Sequence, residues 1–139
     1  MTLDYAGGGE LLERYGHAWE TFDGDAWVDL FTEDAEYHED PFEPPLVGHN
    51  ALRAYLLDAS RSQAQVTFEV ERHWVSGPTV LASWQAGFIR QPSLERVRIA
   101  GFMTLELASD DRIVRFREWT SSRTGASPAA NGAAANGAG

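Results

Sequence analysis

The chain has 139 residues, a formal net charge of −10, no cysteine and no lysine. This length suits a single domain with one core, and the absence of cysteine excludes disulfides and thiolate metal sites. The acidic excess argues against a nucleic-acid groove or an anionic membrane as partner, and without a signal peptide or an apolar span we expect a cytoplasmic protein.

The two ends of the chain differ in composition from its middle. Residues 1–9 finish in three consecutive glycines, which predicts a flexible leader, and a helical pattern starts at Glu10. Residues 124–139 are small, uncharged and rich in Ala, Gly and Asn, so they offer little surface to bury and predict a disordered tail. The predicted folded domain is therefore residues 10–123.

Helical patterns occupy the first half of this domain. The first helix starts at Glu10 and ends near Gly24, and a shorter second helix has Asp25 as its predicted N-cap. An extended segment, AEYHED, stops at Pro41, and the third helix begins after Gly48. The apolar residues expected to face the core from the helices are Leu11, Leu12, Tyr15, Ala18, Trp19, Phe22, Trp27, Leu30, Phe31, Leu52, Tyr55, Leu56 and Ala59.

The second half of the domain alternates between apolar and polar residues with a period of two. Four such segments, 65–77, 79–91, 94–109 and 112–121, are separated by the turn signals GP, PS and SDD. This pattern predicts four consecutive antiparallel strands. Helices first and strands second are typical of an α+β domain, in which helices cover one face of a curved sheet and leave room for a pocket.

Three runs in the first half, ERYGHAW, GDAWVDLFTEDAEYHEDPF and VGHNALRAYL, resemble ketosteroid isomerase-like and SnoaL-like proteins of the NTF2-like superfamily. The resemblance extends through the four predicted strands. It implies a cone-shaped α+β fold with three N-terminal helices packed on a curved antiparallel sheet, a central pocket, and a homodimer formed through the open sheet face. The superfamily contains several kinds of enzyme as well as non-catalytic modules, so the fold alone does not define an activity.

The resemblance also implies roles for individual residues. It puts Asp40 where ketosteroid isomerases hold the carboxylate that shuttles a proton, and Tyr15 where they hold the phenol that hydrogen-bonds the developing oxyanion. Their third group is a protonated carboxylic acid on the penultimate strand. It would fall near Gly101 to Met103, and the sequence IAGFM contains no acid.

Each of these residues also has a structural interpretation. Asp40 precedes Pro41 and can act as a turn residue that accepts backbone N–H bonds, and Tyr15 can be a core ring on a helix stripe. In an extended strand, His38 shares a face with Asp40 and becomes an alternative general base. The competing register instead points Tyr37 inward and leaves His38 in solvent.

Two further titratable residues lie in the predicted strands. Glu118 shares a face with Phe116, where a carboxyl is costly to bury unless it has a function. A cross-strand arginine, Arg96 or Arg98, would explain it as an ordinary ion pair. His73 in the first long strand is expected to be an ordinary sheet residue.

These observations support two functional hypotheses. The first is an isomerase or cyclase that transfers a proton in a small apolar cyclic ketone-like or polyketide-like substrate, with Asp40 as base, Tyr15 as donor, and His38 or Glu118 assisting. The second is a non-catalytic module that binds a small apolar molecule. In both, the residues predicted to contact the ligand are Trp19, Phe31, Phe42, Trp84, Phe88, Phe102 and Met103.

The sequence does not indicate a cofactor or a metal. It has no glycine-rich phosphate loop after a strand and no nucleotide-binding fingerprint. The four histidines lack metal-ligand spacing. The run VRIAGFM also lacks the Arg-x-Asp step that we associate with proteins resembling limonene epoxide hydrolase, so that subclass is not expected.

Overall fold

A computed structural model describes residues 3–125 of the protein. The elements in chain order are α1 (Tyr5–Thr21), α2 (Gly24–Val28), β1 (Phe31–His38), β2 (Leu46–Val47), α3 (His49–Ser62), β3 (Gln63–Ser76), β4 (Thr79–Arg90), β5 (Arg96–Leu107) and β6 (Ile113–Gly125). The α+β class, the three helices and the four long strands are as predicted. In this part of the chain, no helix combines the length and apolar character needed to cross a membrane.

The six strands form one sheet in the order β2-β1-β6-β5-β4-β3. Strands β3 to β6 are antiparallel neighbours, whereas β1 runs parallel to β6 with Tyr37 opposite Phe116. Register shifts in β3, between Ala64 and Thr67 and between Val70 and Arg72, mark bulges that add curvature to the sheet. The helices cover the concave side, called here the inner face, and the other side is the outer face.

Helix α1 begins earlier than predicted. The side chain of Asp4 accepts a hydrogen bond from Gly7 N at 2.7 Å and caps the helix, so the three glycines lie inside it. Close packing on β3 explains these small residues, because a Cβ atom on Gly8 would lie 2.8 Å from Val75 Cγ2. The predicted start at Glu10 was therefore wrong, and most of the segment predicted to be a flexible leader is helical.

Two other boundaries differ from the prediction. Asp23, not Asp25, caps α2 by accepting a hydrogen bond from Ala26 N at 3.0 Å, and the helix ends before Phe31, which begins β1. Strand β6 continues to Gly125, so the first two residues of the predicted tail belong to the sheet. The rest of the predicted disordered tail, residues 126–139, lies outside the described residues.

Close packing of α1 on β3 predicts a large effect for one glycine. A Cβ atom on Gly16 would lie 2.6 Å from Phe68 Cδ1. We expect Gly16→Ala to lower the free energy of unfolding by about 1–2 kcal/mol, despite the higher helix propensity of alanine, because the Phe68 ring must move. Urea denaturation monitored by tryptophan fluorescence measures this change.

Gly24→Ala is the matched control, since the nearest atom to a Cβ there is 4.0 Å away. It should leave stability unchanged or raise it by up to about 1 kcal/mol. Equal effects of the two substitutions would contradict the close-packing argument.

Candidate active site

A partly open cavity of about 110 Å³ lies between the inner face of the sheet and helices α1 and α3. Seven aromatic rings border it, from Tyr15, Trp19, Tyr37, Tyr55, Phe68, Trp84 and Phe88. An apolar protein cavity of about 150 Å³ can hold benzene, so this smaller space suits a compact molecule or part of a ring. Among residues 3–125, Glu118 is the one acidic residue that lines the cavity, and no arginine or histidine of this range does so.

Glu118 enters the cavity from β6, where it lies opposite Met103 of β5. Alternation along β6 places it on the same face as the fully buried Phe116. Burial raises the pKa of Glu118 to about 8, and the nearby charge of Glu39 contributes to the same shift. The carboxyl is therefore mostly protonated at neutral pH, when it can donate a hydrogen bond.

Among residues 3–125, Glu118 has no hydrogen-bond or ion-pair partner. The cross-strand arginines do not provide one. Arg96 and Arg98 project from the outer face of β5, because they alternate with Val97, which is buried on the inner face. The ion-pair interpretation of Glu118 is therefore wrong.

Two phenols lie beside this carboxyl. The hydroxyl oxygens of Tyr15 and Tyr37 are 3.3 Å apart, and both rings are buried. Burial raises the pKa of each tyrosine well above its ordinary value, and the charge of Glu118 adds to both shifts. Tyr37 is held in place by stacking on Phe116, with ring centroids 4.4 Å apart. Both phenols therefore remain protonated over the physiological range.

Trp84 forms one wall of the cavity because its strand neighbour is a glycine. Trp84 lies opposite Gly101 in the register of β4 and β5. A Cβ atom on Gly101 would lie 2.4 Å from Trp84 Cζ2, so the indole can lie across β5 only when that position has no side chain. The stretch of β5 that contains no acid thus supports an aromatic wall.

The structure does not bring Asp40 to this cavity. Asp40 is exposed, and its Oδ1 accepts a hydrogen bond from Phe42 N at 2.9 Å, an arrangement that matches its interpretation as a turn residue before Pro41. Its neighbour Glu39 is electrostatically closer to the site, because its charge raises the pKa of both Glu118 and Tyr37. Partial burial also raises the pKa of Glu39. Sequence reasoning missed this residue.

His38 lies on the outer face, as in the competing register. Its Nε2 donates a hydrogen bond to Glu36 Oε1 at 2.9 Å, which lowers the pKa of Glu36, and Arg115 Nε lies 3.3 Å from the same oxygen. His73 Nε2 donates to the Tyr5 carbonyl at 2.9 Å and has a structural role in holding α1. In residues 3–125, no group of three or more His, Cys, Asp or Glu is arranged to bind a metal.

The residues predicted to contact a ligand fall into different parts of the structure. Trp19, Trp84 and Phe88 line the cavity, whereas Phe31 and Met103 belong to the fully buried core. Phe102 alternates with Met103 and therefore lies on the outer face, where its ring centroid is 6.1 Å from that of Trp74. Phe42 follows the turn at Asp40 and is 94% exposed. The lining residues that sequence reasoning did not assign to the site include Tyr37, Tyr55 and Phe68.

A larger and more open groove of about 960 Å³ lies between α1 and β3. Its lining includes exposed charged residues, among them Glu13, Arg14, Glu69 and Glu71. Water screens such groups and leaves them with ordinary chemistry. We assign the candidate site to the smaller cavity, because there a carboxyl is largely shielded from water beside two phenols.

The raised pKa of Glu118 predicts that the stability of the folded protein depends on pH. Between about pH 4.5 and 8 the folded protein holds a proton on Glu118 that the unfolded chain has released, so rising pH progressively disfavours folding over this window. The full shift corresponds to at most about 4–5 kcal/mol. Glu118→Gln should therefore raise the free energy of unfolding by up to this amount near pH 9, and by little near pH 5.

Urea denaturation at both pH values measures this difference. The exposed Glu33 provides the control, and Glu33→Gln should change stability little at either pH. Equal stability of wild type and Glu118→Gln near pH 9 would show that Glu118 is not desolvated.

Comparison with known proteins identifies the family. The family model of the SnoaL-like domain matches residues 12–116. No curated protein matches the sequence significantly. One similar solved structure is that of SalBIII, an epoxide hydrolase/cyclase-like enzyme with a role in pyran ring formation in polyether salinomycin. It is 24% identical to this chain, with a TM-score of 0.75. That alignment covers 85% of this chain and 93% of SalBIII.

Two further structures share the fold at lower identity. A putative SnoaL-like polyketide cyclase from Shewanella denitrificans OS-217 is 15% identical with a TM-score of 0.73, and the match covers 82% of this chain and 90% of that one. A hypothetical protein from Catenulispora acidiphila DSM 44928 with a ketosteroid isomerase-like fold, solved in complex with trimethylamine, is 13% identical with a TM-score of 0.72. The match covers 91% of this chain and 92% of that one. The chain therefore belongs to the SnoaL-like domain family and has the NTF2-like fold of ketosteroid isomerase-like proteins.

Proposed function

We propose that the protein is a cofactor-independent isomerase or cyclase that moves a proton in a small apolar cyclic ketone-like or polyketide-like substrate, with Glu118 as the acid. The main support is the carboxyl of Glu118, which lies without a partner among aromatic rings and beside two phenols. A protonated carboxyl in an apolar site can donate to an oxygen on which negative charge develops. The cavity volume of about 110 Å³ suits the carbonyl end of such a substrate.

The proposed step is an enolisation. A carboxylate removes a proton from the carbon next to the substrate carbonyl, and the C–H electron pair forms the C=C bond of an enol. The carbonyl oxygen takes the proton of Glu118, which becomes a carboxylate. Return of the first proton to a different carbon, and of the second to Glu118, gives the isomer. A positioned acid or base typically contributes about 10²–10⁴ in rate.

Two residues are candidates for the base. Asp40 is the base that the resemblance implies, although it is exposed and bonded within its own turn. Glu39 is exposed as well, but its charge lies near enough to Glu118 to raise the pKa of that carboxyl, and partial desolvation raises the pKa of Glu39 itself. Two neighbouring carboxyl groups in different environments are a common arrangement for paired acid and base. We therefore place Glu39 ahead of Asp40 as the base.

The second candidate function is non-catalytic binding of a small molecule. The small cavity favours it, and so does the Catenulispora protein, which was solved in complex with trimethylamine and has a similar fold. The names of SalBIII and the Shewanella protein instead support a cyclase. Conversion of a substrate distinguishes the catalytic function from the binding function.

The catalytic proposal predicts measurable chemistry on a simple ring ketone. With 3-cyclohexen-1-one as the probe, we expect conversion to the conjugated isomer and exchange of the α-hydrogens in deuterium oxide, followed by NMR. Glu118→Gln should lower the rate by about 10²–10⁴, because the acidic proton is lost. The rate should fall above about pH 8, where Glu118 loses its proton.

Glu39→Gln and Asp40→Asn form a matched pair that identifies the base. We expect the larger loss of rate in Glu39→Gln. A larger loss in Asp40→Asn would restore Asp40 as the base. If no ring ketone reacts while Glu118 still titrates near 8, the binding function replaces the catalytic one.

We also propose a homodimer that forms through the outer face of the sheet. Trp74 and Trp119 are 39% and 43% exposed there, and Phe102 lies between their strands. Exposed aromatic clusters of this kind are typical of association surfaces. Light scattering at micromolar concentration should give twice the chain mass for wild type and the single mass for Trp119→Arg.

Leu57 is the control for this substitution. It is 54% exposed on α3, away from the outer face, so Leu57→Arg should remain a dimer. A wild-type protein that stays monomeric at these concentrations would contradict the proposed interface.

A further inference from the structure

The cavity lacks a positive charge to match its acid. Within the described part of the chain, Glu118 is its one acidic lining residue, and none of its lining residues is arginine or histidine. The charge of Glu39 adds further negative potential at the same carboxyl. A desolvated carboxyl reaches a stable state either by taking up a proton or by pairing with a cation. The first state supports the proposed proton transfer, and the second requires a ligand.

We propose that the cavity also binds a compact organic cation, a tertiary or quaternary ammonium group, held by the Glu118 carboxylate and the surrounding aromatic rings. This binding uses the same cavity as the proposed reaction but does not require turnover. It concerns the ionised form of Glu118, whereas the reaction uses the protonated form.

The composition of the lining selects this class of cation. Seven aromatic rings border the cavity, and the π-faces of tryptophan, tyrosine and phenylalanine attract cations, most strongly when water is excluded. A primary ammonium or a guanidinium brings three to five N–H donors that all need acceptors. Within residues 3–125, the acceptors in the lining are the Glu118 carboxylate, the Gln63 side-chain carbonyl and the hydroxyl oxygens of Tyr15, Tyr37 and Tyr55, so a methylated ammonium needs the fewest of them. A methylated ammonium has at most one N–H and therefore leaves no donor unsatisfied.

The size of the cavity points to the same ligands. Its volume of about 110 Å³ is smaller than the cavity of about 150 Å³ that accepts benzene. Tetramethylammonium has five heavy atoms and choline has seven, so the cationic head group fits in the cavity.

Cation binding must be linked to proton release. The titratable groups around Glu118 are Tyr15 from α1, Tyr37 from β1 and Glu39 after β1. His38 and Arg117 border a second pocket with Glu118 at the end of β1, and Met103 on the neighbouring strand β5 does not titrate. Both phenols remain neutral because their pKa values are raised. A cation therefore displaces the proton of Glu118, and affinity should rise about tenfold per pH unit below pH 8 and level off above it.

Calorimetry with a pair of isosteres tests this proposal. Choline carries the cationic head group, and 3,3-dimethylbutan-1-ol is its neutral carbon analogue. Near pH 9 we expect choline to bind at least tenfold more tightly than the alcohol, and near pH 6 this preference should be lost. At neutral pH, titrations in two buffers of different ionisation enthalpy should show release of about one proton per choline bound.

Substitution of the carboxylate gives the matched comparison. Glu118→Gln should abolish both the preference for choline and the proton release, and Glu33→Gln on the exposed part of β1 should retain both. Equal affinities of choline and the alcohol near pH 9, or no proton release, would overturn the proposal. Both of these readouts use the wild-type protein, so they decide the question even if Glu118→Gln does not fold.

The two proposals can fail separately. Titration of Glu118 by carboxyl NMR in the ligand-free protein reports the acid that the reaction needs. A raised pKa with ketone turnover and no choline preference overturns the cation site and leaves the proposed reaction intact. Choline preference without ketone turnover overturns the proposed reaction and leaves the cation site intact.

Discussion

Desolvation of Glu118 is the constraint on which the properties of the cavity depend. The residues that remove it from water also form the core, since Tyr37 stacks on Phe116 and its hydroxyl lies 3.3 Å from that of Tyr15. The part of the cavity wall formed by Tyr15 and Tyr37 is therefore also part of the core. Core side chains are held at crystal-like density, so the environment of the carboxyl is fixed by packing and not by a mobile loop. Its protonation state follows from this packing.

The site also differs from what the family resemblance implies. The resemblance puts a protonated acid on the penultimate strand, β5, where this chain has glycine, phenylalanine and methionine. Gly101 instead accommodates the indole of Trp84, and the acid comes from the next strand, where Glu118 lies opposite Met103. A neighbouring strand can supply a carboxyl to the same inner face because paired residues project to the same side of a sheet. The chemistry of a neutral acid can therefore be retained although the residue that provides it has changed.

The fold was predictable from the sequence because the periods of its apolar residues are clear. Alternation in the last four segments and helical spacing before them correctly indicated three helices and four long strands. The start of α1 was missed because the glycines near it usually mark a loop, and their packing against Val75 depends on a strand far away in the sequence. Long-range contacts of this kind leave no local signal.

The candidate site was less predictable than the fold for a related reason. A shift of one residue decides whether Tyr37 or His38 faces inward, and the sequence alone allowed both. The inward direction of Glu118 followed from its alternation with Phe116, but whether an arginine paired with it depended on the face taken by β5. The role of Glu39 depends on how the chain turns after β1, and turn geometry is set by tertiary contacts as well as by residue type.

A pKa near 8 makes one carboxyl compatible with both a neutral and a cationic ligand. At pH 7, a group with this pKa is protonated in about ten molecules for each one that is ionised. A neutral ligand that accepts a hydrogen bond therefore encounters Glu118 mainly in its protonated form. A cation must first displace the proton, which costs about 1.4 kcal/mol at this pH. This cost is smaller than the roughly 2 kcal/mol that a desolvated cation–π contact can contribute. A lower pKa would remove the acid needed for proton transfer, and a much higher one would prevent ion pairing, so the intermediate value allows the same cavity to hold either class of ligand.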